Sequence, residues 1–586
     1  MRANRLGLIR FLTLAGCCSL VIGCVGKPSD PEPTTTPTVD TTAPSITQTT
    51  PSASATEVVQ SIKPSIVFDE AVVAGSGSIT FKCGDCAREE SLDVTGASVT
   101  ISDKTVTLTL TQQFENNRTY TWTIPAGAFK DAAGNATVAK TLTFTTAATP
   151  PYIRRLSVSG AGAQANGVSA NPAASADGRY VVYESDASNL VANDKNGKRD
   201  IFYLDVQTLE VRRISVSSAG VEANGASYSP AISPDGRYVV YESDATNLVG
   251  DDKNKVRDIF LYDAKNASTV RVSLNSSGVE GNAESNAGVV SQDGRYIAFS
   301  SKSTNLVAGA TLPSGTLVYR NIYLHDMLNG KTTVITQGGG VPVLPVDDPT
   351  TPSVDESIIT TPLVAWGNAD SNKPTLSNDG RYIAYQSLAT NLGPTDTNGK
   401  QDIYLYDVNT GTGIPMLVTG GANDDSLNPR LTRYTGGVWL AYQSYANNLD
   451  NLADINNEQD VYIYDSAIGA NRLASLNSGG AGLNGSSLNP SVASSGQDLV
   501  FESWASNLVN GDTNLARDVF WRNLGTGVVK RLSVTKTGKE VARSSWQPYM
   551  ALNGRYVLFE SDATDLVDDD TNAIADIFMV DMNYLP

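Results

Sequence analysis

Six stretches of this 586-residue chain carry the pattern Asp-x-Asn-x-x-x-Asp. They are Asp194, Asn196, Asp200; Asp252, Asn254, Asp258; Asp396, Asn398, Asp402; Asp454, Asn456, Asp460; Asp512, Asn514, Asp518; and Asp570, Asn572, Asp576, the last with a further carboxylate at Asp568. Oxygen donors at alternate positions of a turning loop are what a hard cation such as calcium takes up. The same residues have a use without metal, because Asp and Asn side chains close turns onto the backbone and cap the strand that follows. Six identical loops look more like scaffold than like a single active site. The turn reading is therefore favoured; calcium is the one cofactor suggested, and no other is called for.

Other reactive types are sparse. "CGDC" places Cys83 and Cys86 three residues apart, a spacing open to a redox pair, half a zinc site or a local disulfide. No second cysteine pair follows to complete a zinc site, and the surrounding segment is all-β, so the disulfide is favoured. The single histidine, His325, stands where other copies of the surrounding segment have Tyr, which suits a structural role. No Gly-x-Ser-x-Gly elbow or phosphate-binding loop occurs. Paired carboxylates are the one route to catalysis that remains, and among so many Asp residues no pair stands out. An insertion between the third and fourth copies breaks the pattern and carries Trp366, the candidate for individual recognition.

The loops belong to a repeat. Aligned on the serine after "YE", "YQ", "FS" or "FE", it recurs at Ser185, Ser243, Ser301, Ser387, Ser444, Ser503 and Ser561, with spacings of 58, 58, 86, 57, 59 and 58. Each copy reads as a short strand, an Asp-Gly-type turn, an apolar strand such as "YVVYES", the polar loop, a third strand such as "DIFLYD", and a fourth such as "VRRISV". Four antiparallel strands at this spacing predict a propeller blade. The last copy lacks a fourth strand, whereas an orphan strand "YIRRLSV" (152–158) precedes the first. Pairing the two would close the ring and leave no sheet edge exposed. In this arrangement the Asp-x-Asn loops share a face with the connections between blades. The Arg of "DGR" (Arg179, Arg237, Arg295, Arg381; "NGR" at Arg555) falls on the other face, expected to brace neighbouring blades or meet solvent.

The phrase "SPDGRYVVYES…IFLYD" resembles TolB-type propeller repeats over residues 151–586, which implies the fold and says little of function. The Asp-x-Asn spacing is similar to the later part of DxDxDGxxD calcium loops, with Gly197 and Gly399 matching the glycine, but most copies lack the first carboxylate. Residues 42–147 alternate with period two ("PSIVFDEAVV", "ASVTISDKTVTLTLT", "YTWTIPAGAFKDAAGNA", "TLTFTT") and resemble bacterial Ig-like domains of the SbsA type, which implies a β-sandwich spacer. The fold expected is thus all-β: an Ig-like sandwich, then a seven-bladed propeller closed by an N-terminal strand.

Arg2, Arg5 and Arg10 precede an uncharged apolar run that ends at Cys24, the layout of a secretory signal over residues 1–23. The run resembles a lipoprotein signal with Cys24 as the lipidated residue. Cys17 is the alternative, but leaves too short an apolar run after Arg10. Residues 24–41, rich in Pro and Thr, read as a tether. Val25 after the cysteine resembles proteins sorted to an outer membrane. Acidic residues outnumber basic ones, 61 to 43, for a net charge of -18, which disfavours nucleic acid and anionic lipid surfaces as partners. The function expected is a non-enzymatic envelope lipoprotein, touching the membrane only through its anchor, whose propeller binds a protein or a glycan. A propeller hydrolase or lyase acting on polysaccharide and a calcium-stabilised adhesin are the alternatives.

Overall fold

The computed structural model describes residues 40–56, 58, 62–147, 152–307, 318–338, 365–393, 395–409, 415–450 and 456–585. Cys24, the signal, most of the tether and Asp454 lie outside them. The chain divides into two compact units, Met1–Thr149 and Pro150–Pro586. Among the described residues regular structure is β-strand, apart from a short 3-10 turn at Met582–Tyr584.

In the first unit two four-stranded sheets enclose one core. Alternation along Thr119–Ile124 (TYTWTI) buries Tyr120, Trp122 and Ile124 while the threonines between them stay at least partly exposed. Phe81 packs on Trp122 at 5.1 Å between ring centroids, and Phe114 meets Tyr120 at 4.6 Å.

The second unit holds seven four-stranded antiparallel sheets, one per repeat. In the first, Ser169–Ala174, Tyr180–Ser185, Asp200–Asp205 and Glu210–Arg213 follow in order. The middle strands are buried on both faces, which is why they read as continuous apolar runs rather than alternating ones. Every sheet stacks one aromatic of its second strand on one of its third, from Tyr183 on Phe202 to Phe559 on Phe578, with centroids 5.6–6.1 Å apart.

The serine that aligns the repeats is structural. Ser185 bonds Ser169 Oγ across the strands at 2.9 Å and accepts the Ala187 N–H, and the pair recurs as Ser243–Ser227 and Ser561–Ser545. The turn glycine is needed where the chain passes the preceding sheet: Gly236 has φ +80, and a Cβ there would lie 2.1 Å from the Tyr180 ring.

The last sheet takes its fourth strand from the other end of the unit. Ile153–Arg155 pairs antiparallel with Asp576–Asp581, Arg155 opposite Phe578 as Arg213 is opposite Phe202 in the first sheet. The first and seventh sheets also touch directly, through the Asn171 N–H on Glu560 at 2.7 Å and the Tyr549 hydroxyl on the Ala174 carbonyl at 3.1 Å.

Candidate functional site

The Asp-x-Asn loops turn inward. Asp200 is fully buried; it accepts from Asn196 Nδ2 at 2.8 Å and from the Ser215 hydroxyl just past the fourth strand, and Asn196 also donates to the Ala223 carbonyl. The Asn196 side chain accepts the Lys198 N–H, the turn closure expected of an Asx residue. The same contacts recur at Asn254 and Asp258, Asn514 and Asp518, and Asn572 and Asp576, the last with Ser157, just past the N-terminal strand, in the place of Ser215.

What sits among these carboxylates is an arginine. Arg213 Nη1 lies 3.0 Å from Asp194, 3.6 Å from Asp200 and 2.5 Å from Glu222. Arg271 does the same for Asp252, Asp258 and Glu280, Arg531 for Asp512, Asp518 and Glu540, and Arg155 for Asp570 and Asp576 with Gln164 as the extra partner. Two of these sets, Asp194/Asp200/Glu222 and Asp512/Asp518/Glu540, have the carboxylate spacing a metal ion would use. A guanidinium on all three carboxylates leaves a divalent cation no room without displacing it, so these four loops do not fit calcium. Burial lifts Asp200 and Asp576 to about 6 against the pull of their hydroxyl and amide donors. Asp568, the extra carboxylate, is turned out onto Lys536 at 2.6 Å.

Repeats 3, 4 and 5 discard the ion cluster. The arginine position is Val334, Leu417 and Leu473, each opposite the same aromatic of the third strand. The Glu222 position, marked by the carbonyl that accepts from Asn247, becomes Trp366, Gly421 and the segment at Gly482. In repeat 3 the buried Asp is Asn321, bonded to Thr336. Repeats 4 and 5 keep Asp402 and Asp460 on their hydroxyl partners Thr419 and Ser475, and burial with Asp396 alongside lifts Asp402 to about 6.

A second exchange follows the same division nearer the centre. In every repeat the third residue of the first strand is left-handed, φ +49 to +54, at Asn171, Ser229, Ala287, Lys373, Asn428, Asn489 and Gln547. The bulge turns its N–H to the preceding sheet, where Glu560, Glu184, Glu242, Gln386, Gln443 and Glu502 accept six of them at 2.5–2.8 Å. Glu184, Glu242 and Glu502 are paired with Arg199, Arg257 and Arg517, at 2.8, 3.3 and 2.7 Å. Repeats 4 and 5 replace acid and base together, by Gln386 with Gln401 and by Gln443 with Gln459, the latter two 3.3 Å apart. Glu560 has Ala575 at the arginine position and the Trp546 indole N–H instead; burial lifts it to about 7.

The residue after the aligned serine completes the contrast. Asp186 and Asp244 are tied to Arg199 and Arg257, Lys302 to Glu284, and Asp562 to Arg543. Repeats 4, 5 and 6 carry Leu388, Tyr445 and Trp504 there, each 43% exposed. Arg517 lies over Trp504 at 4.5 Å and under Trp546 of the next sheet at 5.7 Å. Repeats 4 to 6 thus share an exposed apolar side chain at this position, repeats 4 and 5 add amides in place of the inner ion pair, and repeat 6 keeps Glu502 on Arg517 beside Trp504.

The first strands enclose a central cavity of about 530 Å³. Amides and hydroxyls of Asn171, Ser229, Asn428, Asn489 and Gln547 line it, together with Tyr549 and two cations, Lys373 and Arg430. Glu242 is the one carboxylate on the wall, its two oxygens taken by Ala287 N–H and Arg257. Burial in the lumen pulls both Lys373 and Arg430 below their ordinary ranges, and Arg430 depresses Lys373 further.

With that geometry in view, known proteins supply two comparisons. Residues 40–146 match the family model described as a bacterial Ig-like domain. This segment is a bacterial Ig-like domain. No curated protein matches the chain. Solved structures similar to it include an oligogalacturonate lyase from Vibrio parahaemolyticus (12% identity, 73% of this chain and 93% of that one, TM-score 0.42). TolB from Acinetobacter baumannii (17%, 61% and 60%, TM-score 0.29) and a putative TolB from Agrobacterium tumefaciens (15%, 65% and 96%, TM-score 0.32) are two more. All three likenesses concern fold alone.

Within the Ig-like domain Cys83 and Cys86 are joined as a disulfide, Cα atoms 5.3 Å apart, near Asp85. In the propeller, Trp366 turns inward and is half-buried: it meets Tyr323 edge-on at 6.3 Å and packs against the core of the third sheet. Most of the insertion before it lies outside the described residues. His325 is buried, its Nδ1 2.8 Å from the Thr332 hydroxyl, and burial lowers its basicity. The "DGR" arginines brace their own sheets: Arg179 grips Asp205 with two nitrogens and covers Tyr180 at 4.8 Å, and Arg237, Arg295, Arg381 and Arg555 repeat the grip. Sequence reasoning missed Lys373, Arg430, Tyr445 and Trp504. Each is a departure from what the repeat carries at its position, and that departure is the signal that could have found them.

Proposed function

We propose that this protein is a non-enzymatic binding module of the cell envelope, lipid-anchored at Cys24, and that the propeller holds a glycan on the sector formed by repeats 4 to 6. The observation that carries this is the exposed apolar side chain at the position after the aligned serine: Leu388, Tyr445 and Trp504 are exposed where the others are ion-paired. Beside it, Gln386, Gln401, Gln443 and Gln459 stand in repeats 4 and 5 where repeats 1, 2 and 6 have acid and base. A sugar presents apolar C–H faces and rings of hydroxyls. Exposed aromatics cover the first, and amides, which both donate and accept, serve the second.

Two features support binding over bond cleavage. Glycoside hydrolysis uses a pair of carboxyl groups facing the substrate, and the cavity wall offers one carboxylate, already held by two donors. His325 is enclosed and bonded to Thr332 rather than presented to the cavity. The test is a screen of an oligosaccharide library against the full-length protein in detergent micelles, read by tryptophan emission. A saturable change that Trp504→Phe reduces, with the sugar recovered intact, supports the reading; no change, or cleaved sugar, contradicts it.

A further inference from the structure

The cavity has a charge that the surrounding face does not. Lys373 is the third residue of the first strand in repeat 4, where the other repeats have Asn171, Ser229, Ala287, Asn428, Asn489 and Gln547. Arg430 is the fifth residue in repeat 5, where the others have Ala173, Ala231, Val289, Thr375, Ser491 and Tyr549. The fold therefore needs neither cation: six other sheets make the same bulge without lysine. A left-handed lysine is also a less favourable choice than the Asn found in three of them.

Among the described residues neither Lys373 nor Arg430 has an ion-pair partner, although the arginines beside the bulge-holding carboxylates, Arg199, Arg257 and Arg517, are all paired. The two stand on neighbouring sheets of one cavity, solvent-accessible but walled by protein, close enough for one to weaken the other's hold on its proton. Unpaired like charges in a confined space are a standing cost, recovered when an anion arrives between them. Nearby Glu242 does not recover it, because both its oxygens are already committed. A guanidinium fork matches a planar carboxylate, and an ammonium beside it adds an adjustable point charge. The chain's overall negative charge does not reverse this, since salt screens surface charge beyond about 8 Å at physiological strength whereas the lumen cations act by contact. The volume, about 530 Å³, lies within the roughly 300–1,000 Å³ range of small-ligand sites.

We infer that the central cavity selects an acidic glycan, taking a sugar carboxylate between Lys373 and Arg430 while Asn171, Asn428, Asn489 and Gln547 hold neighbouring hydroxyls. The inference rests on the glycan reading above and names its substrate class.

The experiment is calorimetric titration of the full-length protein in detergent with a glucuronate-containing tetrasaccharide and with its carboxyl-reduced, neutral counterpart. The variants are Lys373→Asn and Arg430→Ala, each the residue that other repeats carry at that position, which keeps the fold within its own repertoire; thermal unfolding confirms it. The acidic sugar is expected to bind at least about tenfold tighter than the neutral one, and the double variant to abolish that preference while binding the neutral sugar as before. Equal binding of both sugars by the wild type overturns the inference and leaves the glycan reading standing. So does an acid preference that survives the double variant, since the carboxylate is then read elsewhere. Binding of neither sugar overturns both.

Discussion

Repeats 1 and 2 and repeats 4 and 5 build the same sheet with different chemistry. In the first pair every buried acid has its base, Arg213 among Asp194, Asp200 and Glu222, and Arg199 on Glu184. In the second pair the bases are Leu417, Leu473, Gln401 and Gln459, and the acids they served are Gly421, Gln386 and Gln443. At the inner position acid and base are lost together, Gln386 with Gln401 and Gln443 with Gln459, because removing one alone strands a buried charge, whereas removing both is close to neutral; in the loops the arginine goes while Asp402 and Asp460 stay, held by the hydroxyls of Thr419 and Ser475. The exchange thus shows that the ion pairs are one solution to a backbone requirement, not the requirement itself. What repeats 4 to 6 gain is an exposed apolar and amide surface beside a cation-bearing cavity, and that is where we place function.

The comparison can be broken at its strongest point first. Arg213→Ala leaves Asp194, Asp200 and Glu222 without their cation and is expected to cost roughly 3–5 kcal/mol in denaturant unfolding. A loss below about 1 kcal/mol would mean that the acidic set is protonated or filled by something else. Glu560 is the next test, as the one ring carboxylate whose arginine position is Ala575. Its carboxyl is lifted from 4.5 to about 7 in the folded state, so the fold binds this proton more tightly than the unfolded chain does. Stability then falls as pH rises from about 4.5 through 7. Glu560→Gln, which copies Gln386 and Gln443, is expected to leave stability at pH 5 little changed and to raise it at pH 8 by a few kcal/mol, followed by melting temperature against pH. A constant offset across that range would contradict the assignment.

A smaller effect tests the exchange itself. Gln386→Glu alone is expected to destabilise by about 1–3 kcal/mol, and the double variant with Gln401→Arg to regain most of it, as the Glu184–Arg199 pair does in the first repeat. The smallest expected effect is that of a chelator. With Arg155, Arg213, Arg271 and Arg531 on the loop carboxylates, melting temperature should be the same in calcium and in EDTA; a drop of several degrees would make the loops of repeats 4 and 5, which lack the arginine, metal sites.

The sequence made the sheets legible because the serine, the Asp-Gly turn and the apolar second strand recur at near-constant spacing. The strand Ile153–Arg155 was legible as the missing partner of Asp576–Asp581 because it reads like the fourth strands. The loops were legible as Asp and Asn closing a turn, but not the arginine that neutralises them. Arg213 lies on a different strand, and its role depends on which face of a twisted sheet it points from, something "VRRISV" does not say. The cavity was hidden for a related reason. Which residues face the lumen is decided by a left-handed bulge at Asn171 and its six equivalents, and only three of those seven positions, Asn171, Asn428 and Asn489, carry a residue type that hints at such a backbone. Trp366 was misplaced because its flanking insertion suggested a surface loop, whereas its ring fills the space left by the missing arginine and glutamate in the third repeat.

The central claim is that the sector with exposed Leu388, Tyr445 and Trp504, not the propeller face in general, carries binding. The direct measurement is the affinity of the full-length protein for the best oligosaccharide of the screen, by calorimetry, in Tyr445→Ala and Trp504→Ala beside Asp186→Ala and Asp244→Ala, the same position in the ion-paired repeats. The account predicts a loss of about tenfold or more for each aromatic variant and less than twofold for each aspartate variant. Equal effects in the two sets, or losses confined to the aspartates, would contradict it.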